Sequence, residues 1–185
     1  MAQANATQAI ANIYKTPELW QKITFTFICL VIYRVGSHVA APGVDVQAMI
    51  DYFSQQSKGG GLLGLYDLFV GGNLSRATIF ALGIMPYISA SIFAQIGAAV
   101  IPTLDKMQKD EEGRNKITQW TRYATIALAI AQGWGFALFT ESVQGAAQTP
   151  GLGFKIQMTF VLTTGALFVM WLGEQITERG IGNGM

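Results

Sequence analysis

Residues 77–101 read ATIFALGIMPYISASIFAQIGAAVI, a run without a single charge. About 20 mostly apolar residues in a helix cross the hydrocarbon core of a bilayer, so this stretch decides the class of fold. It is not isolated. Residues 123–139 (YATIALAIAQGWGFALF) and 160–172 (FVLTTGALFVMWL) repeat the pattern. The last run extends back through Ile156 to Phe154 with only Lys155 inside it. Residues 23–39 (ITFTFICLVIYRVGSHV) make a fourth candidate, whose Arg34 must snorkel to an interface or point into protein. The sequence therefore predicts an all-α, polytopic membrane bundle with four spans.

Composition agrees. Charged residues are 12% of the 185, against about 25% in soluble domains, and mean hydropathy is +0.35. A net charge of +1 argues against a basic nucleic-acid binder. One cysteine, Cys29, and one histidine, His38, exclude an internal disulfide framework and a histidine-built metal cage. Four spans put both chain ends on one side. That side carries Lys15, Lys22, Lys106, Lys109, Arg114, Lys116, Arg122 and Arg179, and the other carries Arg34, Lys58, Arg76 and Lys155. The excess of positive residues predicts that both ends are cytoplasmic. Val39-Ala40-Ala41 has the small residues of a cleavage site, but the segment before the first span is long and weakly basic, so a retained span is expected.

The segments between spans are unusual. Thr16-Pro17-Glu18 reads as a helix start. Asp45 is placed to cap a short helix with Val46, Met49, Ile50 and Phe53 on one face. Lys58-Gly59-Gly60-Gly61 reads as a hinge. Then comes Leu62-Leu63-Gly64-Leu65-Tyr66-Asp67-Leu68-Phe69-Val70, closed by Gly71-Gly72-Asn73. This piece is apolar yet too short to span. It fits either a short packed helix or a re-entrant segment in a protein-lined cavity. Pro86 in the second apolar run predicts a kink, and interrupted apolar segments often mark a transport path. Ile84 and Ile88 lie one turn apart; composition alone favours lipid-facing or core packing for both. Gln95 and Gln132 are polar groups within spans, expected to face protein or water. No phosphate loop, His-Glu-x-x-His zinc site or nucleophile elbow is present, and no span holds a central acid of the kind that marks proton-coupled transport.

Two longer stretches carry a resemblance. Gly71–Gln95 (GGNLSRATIFALGIMPYISASIFAQ) resembles the second-helix signature of the SecY family, and Trp171–Gly184 (WLGEQITERGIGNG) resembles its motif after the fourth helix. Tyr33-Arg34-Val35-Gly36, Pro42-Gly43-Val44-Asp45 and Gly113-Arg114-Asn115-Lys116-Ile117 agree with it. The resemblance runs from about Pro17 to Met185. It implies the first half of a pseudo-symmetric ten-helix channel, with Gly180–Met185 where a fifth helix would begin, and hence a fragment or the ordered part of a longer chain. The implied divisions are a cytoplasmic segment over 1–22, a first membrane helix over 23–41 and an external segment over 42–61. A plug follows over 62–73, then a second membrane helix over 74–101 and a cytoplasmic loop over 102–121. The rest is a third membrane helix over 122–140, an external loop over 141–153, a fourth membrane helix over 154–173 and a cytoplasmic end over 174–185.

The resemblance also implies roles. Leu62 to Gly72 would be the plug, Ile84 and Ile88 part of a pore ring, and Ser89, Ile92, Gln95 and Gln132 the lining of a lateral gate. Arg76 would anchor the plug junction. For the two isoleucines this reverses the expectation from composition. The implied function is the central pore-forming subunit of a protein-conducting channel, a passive device rather than an enzyme, with no cofactor. Implied partners are SecE-type and SecG-type small membrane subunits, a SecA-type motor ATPase, the ribosome, signal peptides, nascent chains and the lipid bilayer, with nucleic acid met only through the ribosome. The implied location is the bacterial plasma membrane, ahead of the thylakoid. Two readings compete: a small-solute transporter, which would predict a substrate-sized polar pocket or the intramembrane acid that the spans lack, and a half chain that is only a membrane-embedded scaffold or a cloning product.

Overall fold

The computed structural model describes residues 17–57 and 62–184. It holds helices α1 (Pro17–Gly36), α2 (Val46–Ser57), α3 (Leu62–Phe69), α4 (Met85–Val100), α5 (Pro102–Lys109), α6 (Glu111–Ser142) and α7 (Leu152–Arg179). Three of them, α1, α6 and α7, are each long and apolar enough to cross a membrane. The pair α4 and α5 passes the same test together, but is bent by 109° between its two parts. Thr16, the Lys58–Gly61 hinge and the segment before Pro17 lie outside the described residues.

Local signals explain several boundaries. Helix α1 starts at Pro17, whose fixed φ suits a first helical position. Asp45 caps α2 as its position predicts: its Oδ1 accepts from the backbone N–H of Gln47 (2.9 Å) and Ala48 (3.2 Å). Met49 and Phe53 of α2 are buried. Tyr52 and Phe53 meet Phe139 of α6 edge to face, with centroids 5.7 and 6.1 Å apart.

Other boundaries differ from the sequence reading. The helix expected over 74–101 begins only at Met85. Pro86 therefore sits in the first turn of α4 and starts the helix instead of kinking it. At 1.5 Å per residue, the 16 residues of α4 cover about 24 Å, short of the roughly 30 Å hydrocarbon core. Residues 102–121, read as a loop, are almost wholly helical. Pro102 opens α5 and the chain turns at Asp110 into α6. Helices α6 and α7 overrun the bounds 122–140 and 154–173, because each continues past its apolar middle into polar turns. Lys155, the one charge in the fourth apolar run, stands in the first turn of α7 and pairs with Glu141 in the last turn of α6 at 2.8 Å.

The described residues form two compact units, one within 36–170 and one of residues 17–35 with 171–184. In the larger unit, α4 packs on α6 and α5 packs on both. One core joins Met49 and Phe53 of α2, Leu74, Ala77, Ala81 and Leu82 of the turns before α4, Ala129, Phe136 and Ala137 of α6, and Met158, Leu162 and Ala166 of α7. Residues 39–45 run antiparallel to two other connections. Ala41 N–H donates to Ala77 O (2.8 Å) and Ile79 N–H to Val39 O (3.0 Å). Asp45 N–H donates to Ala146 O (2.8 Å) and Gln148 N–H to Gly43 O (3.0 Å). In the smaller unit, Thr26 Oγ1 accepts from Ile181 N–H (3.1 Å), and Gly184 N–H donates to Thr177 Oγ1 (2.9 Å). The chain after α7 is thereby pinned to α1 and to the last turns of α7.

Gly165 of α7 lies under the turns before α4, where a Cβ would meet the backbone carbonyl of Ile79. Gly135 of α6 has open space at the same point. Gly165→Ala should therefore destabilise by about 1–3 kcal/mol through overpacking against backbone. Gly135→Ala should be neutral or stabilising by up to about 1 kcal/mol through helix propensity. Thermal unfolding of the two purified variants in detergent checks the contrast.

Candidate functional site

The candidate site begins at the end of α3. There the last carbonyls of the helix are met by two crossed backbone bonds. Gly72 N–H donates to Asp67 O (2.8 Å) and Gly71 N–H to Leu68 O (3.1 Å). This is the Schellman pattern, in which the residue after the cap takes a left-handed conformation. That residue is Gly71, with φ of +73°, a value glycine adopts without steric cost. The Gly-Gly pair in the sequence thus ends α3.

Side chains reinforce the stop. Asp67 Oδ1 accepts from the backbone N–H of Leu74 (3.0 Å) and of Ser75 (2.9 Å). Buried Asn73 donates through Nδ2 to Val70 O (2.8 Å). The turns then continue: Ala77 N–H donates to Leu74 O (3.0 Å) and Thr78 N–H to Asn73 O (3.0 Å). Ala77 is fully buried with φ of +44°, the one non-glycine residue in the left-handed region among those described. Its carbonyl is held by Ala41 N–H. Phe80 is buried and stacks on Phe168 of α7, centroids 6.0 Å apart and planes within 12°. Residues 70–84 are thus non-helical, and from Ala77 to Gly83 they are almost wholly covered by protein, the condition under which irregular backbone is tolerated at membrane depth.

Helix α4 rises directly from this junction. Ile84 occupies its N-cap position with no side-chain cap, and Ile88 follows one turn later. Ile84 is half-buried, and Ile88, Ile92 and Ile96 are exposed. At intervals of four these side chains form one apolar stripe along α4. Ser89 is half-buried. Gln95 is exposed and donates through Nε2 to Ser91 Oγ (3.1 Å). Ile84, Ile88, Ile92 and Gln95 are therefore brought to one side of a single helix. Gln132 does not share that exposure. Its Oε1 is buried in α6, with no hydrogen-bond partner among the described residues. Arg76 is exposed, and Asp67 and Asn73 make side-chain hydrogen bonds at the junction. The sequence reading gave neither residue that role. An Asp in the last turn of a short helix, followed by Gly-Gly-Asn, is the signal that was available.

Comparison with known proteins bears on this arrangement. Residues 78–185 match the family model described as SecY. A protein named protein translocase subunit SecY from Pseudomonas aeruginosa is 44% identical over 186 residues, covering 100% of this chain and 41% of that protein. Its namesake from Streptomyces griseus is 50% identical over 190 residues, covering 96% of this chain and 43% of the relative. That of Escherichia coli K12 is 46% identical over 172 residues, covering 91% and 38%. The chain spans about two fifths of the length of these relatives.

Gly71 and Gly72 have open space around a Cβ, so substitution there meets only the conformational penalty. Gly71→Ala should cost about 1–2 kcal/mol locally and fray the end of α3. Faster hydrogen exchange at the amides of residues 71 and 72, with α6 and α7 unchanged, is the expected result.

Proposed function

Because the chain belongs to the SecY family, we propose that it supplies half of a protein-conducting channel. Unfolded secretory proteins cross the membrane through that channel, and membrane proteins leave it sideways into lipid. The chain is a multi-pass helical membrane protein by its apolar helices and its relatives. In this reading α3, with Gly71 and Gly72, is the plug. Ile84 and Ile88 contribute to a pore ring, completed by helices outside this chain. Ser89, Ile92, Gln95 and Gln132 belong to the lateral gate. For Gln132 this requires its buried carbonyl to find a donor when the gate moves.

The observation that carries the reading is a direct succession. A short apolar helix too short to span leads through one hydrogen-bonded junction to two isoleucines in the first turn of α4. An apolar ring of flexible side chains dewets and stops ions, yet can seal around passing chains of varied sequence. A plug joined to the ring's own helix is positioned to occupy the opening below it. The channel itself does no covalent chemistry. A SecA-type ATPase or the ribosome supplies the push, and SecE-type and SecG-type subunits complete the assembly. In this reading both ends of the chain are cytoplasmic and the channel lies in a bacterial plasma membrane; the positive residues of α5 and the start of α6 support that orientation.

In the full-length protein, Ile84→Gly and Ile88→Gly should raise ion conductance through the resting channel several-fold, measured in planar bilayers. Unchanged conductance removes both from the ring. Deleting residues 62–72 should let substrates with defective signal sequences pass, measured by export into vesicles. A deletion variant that still rejects them counts against α3 as the plug.

A further inference from the structure

The two glycines that end α3 give the chain a natural pivot, and the bonds that cross it decide how firmly α3 is held. On the far side, residues 77–79 are fixed: Ala77 O and Ile79 N–H are both bonded to residues 39–41, and Ala77, Thr78 and Phe80 are buried. On the near side, Asp67 is the described side chain of α3 that hydrogen-bonds across the glycines. A single oxygen, Oδ1, accepts both the Leu74 and the Ser75 N–H, from residues seven and eight positions further on. Leu74 is buried, so its N–H has no solvent to turn to when that bond is lost. Asn73 works from the other side, anchoring the Val70 carbonyl through Nδ2 at 2.8 Å.

We propose that Asp67 is a positioning residue that sets the substrate selectivity of the channel: its carboxylate latches α3 to the fixed turn at Leu74 and Ser75, and opening requires both bonds to break. This rests on the reading of α3 as the plug. Charge-assisted bonds to backbone N–H groups are among the stronger hydrogen bonds in proteins. Losing them leaves a buried donor unpaired, which biases the open state by on the order of tenfold or more. Because one oxygen takes both bonds, an amide oxygen at the same place can do so too. The latch therefore depends on an acceptor at that position more than on negative charge.

The test uses the full-length channel complex in planar bilayers. Asp67→Ala should raise resting conductance on the order of tenfold and let substrates with defective signals through. It should also speed hydrogen exchange at the Leu74 and Ser75 amides while α6 and α7 stay protected. Asp67→Asn should restore low conductance, selectivity and slow exchange. Wild-type conductance in Asp67→Ala, or an Asp67→Asn variant as leaky as Asp67→Ala, overturns the proposal. Ile84→Gly and Ile88→Gly run beside them separate the two claims. If these leak and Asp67→Ala does not, the latch alone fails. If none leaks, the pore reading fails with it. Should Asp67→Ala not assemble, exchange in the wild-type complex decides: Leu74 and Ser75 amides as slow as those of α4 support the latch, and freely exchanging ones overturn it.

Discussion

The structure depends on satisfying the backbone of residues 70–84. Backbone N–H and C=O groups away from water must find partners, and a helix provides them automatically. Most of this segment is buried, yet it leaves the helical ladder. Its groups must therefore be met one at a time. Residues 39–41 take the carbonyl of Ala77 and the N–H of Ile79, Asp67 takes the N–H of Leu74 and Ser75, and successive turns take much of the rest. The surrounding packing follows from this need. Gly165 allows α7 to approach the Ile79 carbonyl, Phe168 covers Phe80, and the core of the larger unit closes over Leu74, Ala77, Ala81 and Leu82.

For the proposed channel, a junction built this way serves better than a continuous helix would. A helix running unbroken from residue 62 to residue 100 would make α3 and α4 one rigid rod. Interrupting it at Gly71 and Gly72 separates a small element from the helix that bears Ile84 and Ile88, while a few specific bonds still hold it. Discrete hydrogen bonds break together when geometry fails, so such a device has two states instead of a graded response. The stripe of Ile88, Ile92 and Ile96 remains uncovered within this chain. That fits a helix whose exposed side meets other protein, lipid or a passing chain.

Much of the architecture was legible because it is written locally. Apolar runs mark α1, α6 and α7, and Asp45 marks the helix that starts at the next residue, Val46. Pro86 reads as a kink when the preceding residues are taken as helix; it is a helix start because the chain before it turns through Gly83, at φ of +53°, and through Ala77, whose carbonyl is held by Ala41 N–H. The charged stretch over 102–121 reads as a solvated connection between spans, and its polarity does not reveal that the connection is itself built of α5 and the first turns of α6. Within the candidate site, the α4 stripe followed from four-residue spacing. The roles of Asp67 and Asn73 did not, since they depend on where the chain returns after a turn. Arg76, to which the resemblance gives the plug junction, lies at the surface of this chain.

The most direct test of the central claim places a probe on the stripe itself. In a full-length channel with Cys29 replaced by Ser, a single cysteine is introduced in place of Ile88, and another variant carries one in place of Ala98, which is buried. A secretory chain bearing one cysteine is arrested partway across. Disulfide formation between the chain and position 88, with none at position 98, is the predicted result. Absence of the bond at position 88 while the chain is held in the membrane would contradict the account.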